Sequence, residues 1–109
     1  MTYLAIDFGG GSGRVVAGTI TTEGGKKQLT MQLVHRFQNR QVRLGEHVYW
    51  DFPALFEDMK TGLRKATRLG LKVSGIAVDT WGVDFGLIDR NGDLIGREVA
   101  PVTTDEQFA

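Results

Sequence analysis

The chain has 109 residues, a length typical of one domain with a single hydrophobic core. Its 13 basic and 13 acidic residues balance, so no excess of positive charge indicates binding to nucleic acid or to a membrane surface. The absence of cysteine excludes disulfide bonds and thiolate metal sites. We expect a soluble, cytoplasmic protein, because the sequence shows neither a signal-peptide pattern nor an apolar run long enough to span a bilayer.

Two apolar segments flank a glycine-rich turn at the start of the chain. Residues 3–8 predict a buried strand and residues 14–21 its hairpin partner, because apolar and β-branched residues dominate both. The glycines between them leave backbone N–H groups unobstructed by a Cβ, and such a concavity binds phosphate oxygens. Asp7, at the end of the first strand, is placed to hold a hydrated divalent metal beside those phosphates. A plain glycine-rich hairpin turn remains the alternative.

Two common phosphate loops are excluded. The dinucleotide fingerprint requires a third glycine where this chain has Arg14 or Val16, and it leads into a helix, whereas residues 15–20 predict a strand. The Walker A string does not occur. Arg14 is either a cation for the phosphates or an ordinary surface arginine of the strand.

The next segment predicts a further strand between polar connections. Residues 22–27 form a polar turn, and residues 38–45 a loop or extended excursion. Residues 28–37 alternate in polarity, which predicts a half-exposed third strand. The residues predicted to share one face of it are Leu29, Met31, Leu33 and His35.

A helix is predicted after residue 51. Asp51 is its N-cap, Pro53 lies in the first turn, and Gly70 ends it. Glu57 and Asp58 are expected to favour the positive end of the helix dipole. A single apolar stripe is predicted from Leu55, Phe56, Met59, Leu63 and Ala66, and core positions are expected for Trp50 and Phe52 at the helix start.

Strands are predicted again after the helix. Residues 73–79 form a second buried strand that ends in a carboxylate, and Asn91-Gly92 joins strands 85–89 and 93–99 in a hairpin. Between these strands, Trp81 and Asp84 are suited to stack on a sugar and to accept its hydroxyl hydrogen bonds. A core tryptophan and a turn aspartate remain the alternative.

Four segments together resemble the FGGY carbohydrate kinases, and within them the rhamnulokinase group. They are residues 7–14, 35–40, 49–51 and 79–89, within a resemblance that covers roughly residues 3–101. The string Asp79-Thr80-Trp81-Gly82-Val83-Asp84 separates this group from glycerol and xylulose kinases. The resemblance implies an α/β fold, a ribonuclease-H-like lobe of the actin and sugar-kinase type, with a βββαβ core, an extra β-hairpin and a truncated end.

The resemblance also implies a reaction: ATP-dependent phosphorylation of the 1-hydroxyl of L-rhamnulose, with Mg²⁺. It implies that Asp7 holds the metal through water, that the ATP phosphates lie on Gly10, Gly11, Ser12, Gly13 and Arg14, and that the sugar lies on Trp81, Gly82, Val83 and Asp84. No catalytic residue is assigned, since the family's base belongs to a second lobe that this chain does not match. We therefore expect the isolated chain to be inactive.

Two segments are expected: an incomplete N-terminal lobe over residues 1–101 and a poorly ordered tail over residues 102–109. A lobe without its second half exposes apolar surface, so self-association is expected. The competing interpretation is a non-enzymatic module for nucleotide binding, sugar binding or assembly.

Overall fold

The computed structural model describes residues 1–80, 82, 85–95 and 100–101. Its elements are β1 (Thr2–Phe8), β2 (Ser12–Glu23), β3 (Lys26–Gln38), β4 (Gln41–Leu44), β5 (His47–Trp50), α1 (Phe52–Arg68), β6 (Val73–Asp79) and β7 (Ala100–Pro101). One sheet has the order β3-β2-β1-β6, and a second has the order β4-β5-β7. The predicted mixed α/β class is confirmed, with sheet predominating. No helix in the described ranges has the length and apolar character needed to cross a membrane.

The first sheet combines antiparallel and parallel pairing. β2 is antiparallel to both β1 and β3, whereas β6 is parallel to β1. A parallel pair needs a crossover connection, which α1 supplies. Because β1, β3 and β6 run in the same direction, their carboxyl ends meet at one edge of the sheet.

The core lies between α1 and one face of this sheet, called here the helix-facing face. Leu4 and Ile6 of β1 lie opposite Ala17 and Val15 of β2, and all four are at most 2% exposed. Ala66 of α1 packs against these residues and belongs to the same core cluster. Alternate residues of the strands therefore point to α1, as strand geometry requires.

A two-residue turn joins β2 to β3. Gly24 and Gly25 have φ angles of 58° and 80°, which only glycine adopts at little cost and which suit the twist of a hairpin. The predicted polar turn over residues 22–27 is therefore confirmed in place but is shorter, because the strands continue to Glu23 and from Lys26.

A register shift in β3 corrects the predicted strand face. Val15 lies opposite His35, but the next residue of β2, Val16, lies opposite Leu33, so β3 carries one extra residue there. A bulge of this kind reverses which side chains face the core. His35 therefore shares the helix-facing face with Val15, whereas the predicted apolar row points to the other side, called the outer face. That row is Leu29, Met31 and Leu33, which are 57–71% exposed.

The ends of α1 are as predicted. The Asp51 carboxylate accepts a hydrogen bond of 3.1 Å from the Ala54 N–H, and Pro53 lies in the first turn. Gly70 follows the C-cap with a φ of 75° and ends the helix. The cap at Asp51 and the end at Gly70 were predictable because a helix leaves backbone N–H groups unpaired at its start and C=O groups unpaired at its end.

Two helix predictions are wrong in part. Glu57 and Asp58 lie beyond the first turn, where the dipole effect has weakened, and Glu57 instead pairs with Lys60. The Lys60 hydrogen bond lowers the pKa of the Glu57 carboxyl. In the apolar stripe Leu55 and Ala66 are buried, but Phe56 is 46% exposed.

His35 lies under α1 with charged neighbours. Its Nδ1 is 2.8 Å from the Lys65 Nζ, and its Nε2 is 4.0 Å from the Asp58 carboxylate. Burial and then the positive charge of Lys65 lower the pKa of His35, which Asp58 partly opposes. The neutral imidazole is thus the form that this environment favours.

The strand over residues 73–79 is present but is not buried. Ile76 and Val78 are 54% and 56% exposed, because α1 packs on β2 and β3 and leaves β6 uncovered within the described residues. Residues 85–95 form a hairpin with less strand pairing than predicted: one bridge joins Ile88 and Leu94. Gly92, in its turn, has a φ of 84°. Residues 96–99 of the predicted return strand lie outside the described residues, as does the 102–109 tail.

The segment between β3 and α1 is more regular than predicted. Residues 38–45 were predicted to be a loop or extended excursion; residues 41–44 are extended, as β4, and pair with β5 in a hairpin. Trp50, at the end of β5, is 5% exposed and packs with Phe37 and Leu55, so its core position is confirmed. Phe52 is 46% exposed, so the same prediction for it is wrong.

Candidate functional site

The candidate site lies where β1, β3 and β6 end together. The glycine turn follows β1, Asn39 follows β3, and the segment with Gly82 follows β6. The carboxyl edge of such strands is where α/β sheets usually bind ligands. The fold thus brings the glycine turn and Gly82, which are about 70 residues apart in the sequence, to one edge of the sheet.

The glycine turn is a tight connection held from two sides. Phe8 and Gly13 are the last strand partners, and the Gly9 N–H donates to the Ser12 carbonyl at 3.0 Å. Asn39 holds the turn from outside through hydrogen bonds to the carbonyls of Gly9 and Gly11. The turn is therefore a fixed structure with defined peptide orientations.

The three glycines Gly9, Gly11 and Gly13 have different structural requirements. A Cβ on Gly9 would lie 2.7 Å from the Ser12 carbonyl oxygen, and a Cβ on Gly13 would overlap the ring of Phe37. At Gly11 a Cβ would meet nothing within 4 Å, and its φ is not positive. Close packing thus explains why Gly9 and Gly13 have no side chain. It does not explain Gly11, because the space in front of Gly11 is open.

That space belongs to a polar groove of about 440 Å³. Its lining residues are Gly10, Gly11, Gln38, Asn39, Arg40 and Gln41. Backbone amides of glycines without a covering Cβ form anion-binding concavities, and an arginine supplies positive charge beside them. The groove is chemically suited to an anionic group such as phosphate.

Asp7 and Arg14 form an ion pair at the base of the turn. They are direct partners across β1 and β2, on the outer face, and the Arg14 Nη1 lies 3.3 Å from the Asp7 Oδ2. Arg14 also donates to the Ser12 side-chain oxygen at 2.9 Å and to its carbonyl at 3.3 Å. Both side chains are about 40% exposed, at 38% and 42%, so solvent screens the pair and its contribution to stability is small. The main consequence of the pair is therefore that the Asp7 carboxylate and the Arg14 guanidinium are held beside the turn.

The carboxylates at this edge suit a hydrated magnesium ion. Asp79 of β6 is the register partner of Asp7, so two carboxylates lie on adjacent strands. The described residues contain no cluster of three His, Cys, Asp or Glu side chains. Mg²⁺ keeps several waters and needs only one or two carboxylates when phosphates complete its shell. The donor set therefore fits a metal held together with a phosphate ligand.

The predicted sugar residues are only partly described. Gly82 is exposed, and a Cβ there would meet nothing within 4 Å. Trp81, Val83 and Asp84 lie outside the described residues. Their assignment to a sugar stays a prediction.

Sequence reasoning missed Asn39 at this site. The residue was assigned to a loop or extended excursion with no role at the site, yet it is 6% exposed and contacts the glycine turn. A usable signal was present: a polar residue directly after a strand that runs parallel to β1 falls on the same edge as the turn.

A second groove, of about 330 Å³ and mainly apolar, is also lined by Asn39. Its other lining residues include Phe8, Trp50, Phe52 and Phe85.

Comparison with known proteins identifies relatives that match most of the chain. The chain is 39% identical over 100 residues to a rhamnulokinase of Mannheimia succiniciproducens, which covers 92% of this chain. It is 37% identical over 99 residues to a rhamnulokinase of Enterococcus faecalis and 41% identical over 93 residues to one of Pectobacterium atrosepticum, covering 91% and 85% of the chain. The chain spans about a fifth of the length of these curated relatives, 18–20%. No family model matches the chain.

Proposed function

We propose that this chain, which is related by sequence to the rhamnulokinases over about nine tenths of its length, forms the phosphate-binding edge of an ATP-dependent sugar kinase. The observation that carries the proposal is the open space in front of Gly11, at the carboxyl edge of β1 and beside the Asp7–Arg14 pair. The homology supports a sugar-kinase N-terminal region, and the reaction of such an enzyme is transfer of the terminal ATP phosphoryl group to a sugar hydroxyl. A cytoplasmic location is part of the same proposal.

The glycine turn would bind the ATP phosphates mainly through its backbone. In the proposed arrangement Gly10 and Gly11 present amides, Ser12 and Arg14 supply a hydroxyl and a cation, and Gly13 leaves room for Phe37 beneath the turn. Phosphoryl transfer needs positioning and charge neutralisation more than covalent chemistry from the protein. Fixed amide donors and a held guanidinium meet that need.

Asp7, with Asp79 beside it, would hold Mg²⁺ through water, and the ion would neutralise charge on the phosphates. Arg14 keeps the Asp7 carboxylate oriented at the turn. Both carboxylates lie at the strand ends, so a hydrated ion has access to them and to the polar groove.

We propose L-rhamnulose as the sugar, phosphorylated at its 1-hydroxyl, with Trp81, Gly82, Val83 and Asp84 as its contacts. The name of the relatives supports this substrate, as does the position of Gly82 beyond β6 on the same edge as the turn. The base that accepts the hydroxyl proton is assigned to a second lobe. The sheet order β3-β2-β1-β6 with a crossover helix supports our assignment of the first lobe to the ribonuclease-H-like class.

Titration of the ¹⁵N-labelled chain with MgATP tests the proposal. Chemical-shift changes are expected at the amides of residues 9–14 and not at the hairpin of residues 85–95. The titration should reach about 10 mM, ten times the dissociation constant that about 4 kcal/mol of binding free energy produces. If the turn amides do not shift over that range, the turn does not bind nucleotide phosphates. Adenosine without phosphates is the matched control and should leave the turn unaffected.

A further inference from the structure

Asn39 makes two hydrogen bonds to the glycine turn from the end of β3. Its backbone N–H donates to the Gly11 carbonyl at 3.2 Å, and its side-chain Nδ2 donates to the Gly9 carbonyl, 30 positions away in the sequence. The residue is 6% exposed, so water has little access to these bonds. One residue thus holds the Gly9–Gly10 and Gly11–Ser12 peptide groups, which lie on either side of the Gly10–Gly11 peptide.

These two bonds fix the direction of the neighbouring amides. All peptide bonds described here are trans, and in a trans peptide the N–H points opposite to the C=O. Because Asn39 holds the Gly9 carbonyl, the Gly10 N–H of the same peptide points away from Asn39. Within the described residues, the Gly10 N–H has no hydrogen-bond partner. The bond from Asn39 therefore leaves one amide donor oriented and unused.

The two polar atoms of the Asn39 amide differ in their hydrogen bonding. The Asn39 Oδ1 is buried and has no hydrogen-bond partner among the described residues. A buried acceptor without a donor opposes folding, and an apolar side chain of similar shape would avoid that cost. What the amide supplies, and an apolar residue cannot, is the Nδ2 donor to Gly9.

We propose that Asn39 is a positioning residue of the phosphate turn, which holds the Gly9 and Gly11 carbonyls so that the Gly10 N–H is directed to a bound phosphate. The inference rests on the proposed phosphate-binding function. It assigns Asn39 no contact with the reacting atoms. Its effect passes through the orientation of the Gly9–Gly10 peptide.

The test compares the wild-type chain with Asn39→Leu, which has a similar size and lacks the donor. Three quantities are measured: the NMR order parameters of the Gly10 and Gly11 amides without ligand, the affinity for inorganic tripolyphosphate, and the thermal midpoint. We expect the order parameters to fall from about 0.85 to below about 0.6. Affinity for tripolyphosphate should fall by about tenfold. The thermal midpoint serves to verify folding, because leucine removes the unpaired acceptor but also leaves the Gly9 carbonyl without its donor. Gln32→Leu, an exposed amide of the same strand, is the control and should change neither order nor affinity.

Two outcomes separate this inference from the function on which it rests. If the wild-type chain does not bind tripolyphosphate, the proposed function fails, and the order parameters alone still decide the role of Asn39. If wild type binds and Asn39→Leu keeps wild-type order and affinity, the positioning role is wrong. Should the leucine variant fail to fold, Asn39→Asp keeps the size and the acceptor, lacks the donor, and must show the same loss of order.

Discussion

Gly62 of α1 lies directly against Val15 of β2, and both residues are buried. A Cβ on Gly62 would overlap the Val15 side chain and approach the Cβ of His35 at 3.5 Å. The helix therefore approaches the sheet as closely as it does because position 62 has no side chain. This contact limits how closely α1 can approach the core side of the sheet.

Gly62→Ala tests this close approach through stability. Alanine gains about 1 kcal/mol of helix propensity over glycine, but overpacking against a buried valine costs about 1–3 kcal/mol. The expected net result is a loss of up to about 2 kcal/mol in the free energy of unfolding, measured by urea denaturation. Thr67→Ala, at an exposed position of the same helix, should leave stability unchanged or slightly higher. A stabilised Gly62→Ala variant would show that the helix has room to move.

The partly buried position of His35 predicts a pH dependence of stability. Its pKa in the folded state lies below the ordinary value of 6.5, so below pH 6.5 the unfolded chain binds the proton more readily than the folded chain. Stability from this residue is therefore present above pH 6.5 and is lost as the pH falls toward the lowered pKa. Urea denaturation between about pH 7.5 and 5.5 should show a smaller decline for His35→Gln than for wild type. His47→Gln, at an exposed position, is the control; an equal decline in wild type and His35→Gln would contradict the prediction.

The sequence predicted the fold where local chemistry decides it. The Asp51 cap, the glycine that ends α1 and the first hairpin follow from turn and capping rules, which act over a few residues. The face of His35 was mispredicted, because the extra residue in β3 leaves no local pattern and is fixed by pairing with β2. The burial of β6 was mispredicted for a related reason: apolar composition does not reveal what covers a strand.

In the candidate site, too, the local features were predictable from the sequence and the long-range contacts were not. Glycines and Asp7 indicated a phosphate turn, but the different requirements at Gly11 and Gly13 depend on Phe37, which comes from another strand. Asn39 was missed because its two hydrogen bonds join residues 28 to 30 positions apart. Contacts of that range need the sheet order, which the sequence alone does not supply.

Asp7→Asn separates electrostatics from folding at the proposed metal position. Loss of the exposed pair with Arg14 should change the free energy of unfolding by less than about 1 kcal/mol. Calorimetric titration with ATP, with and without Mg²⁺, should show that magnesium strengthens binding in wild type and much less in the variant. Asp93→Asn, at an exposed hairpin position, should behave like wild type. An unchanged magnesium effect in Asp7→Asn would remove this residue from the metal site.

The outer face of β3 predicts self-association. Met31 is 71% exposed and lies in an apolar row with Leu29 and Leu33, which no described residue covers. Light scattering at high protein concentration should detect a dimer or larger species, and Met31→Lys should shift it toward monomer. Gln32→Lys places the same charge on the opposite face and should not. A strictly monomeric wild-type chain would contradict the prediction.

The isolated chain should not turn over substrate. It contains no residue that we assign as the base for a sugar hydroxyl, and a positioned base usually contributes a factor of about 10²–10⁴ in rate. A coupled assay for ADP should detect no L-rhamnulose-dependent production by the pure 109-residue protein. Measurable production would mean that the chain carries its own base and that the two-lobe interpretation is wrong.

The central claim, that the glycine turn holds nucleotide phosphates, is tested most directly by comparing Gly11→Ala with Gly13→Ala. Gly13→Ala should lower the thermal midpoint, because the methyl group overlaps Phe37. Gly11→Ala should keep the wild-type midpoint, because nothing lies within 4 Å of the added methyl group, yet it should lose most of its MgATP affinity, because the methyl group enters the phosphate space. If Gly11→Ala folds normally and binds MgATP like wild type, the turn connects two strands and does not bind phosphate.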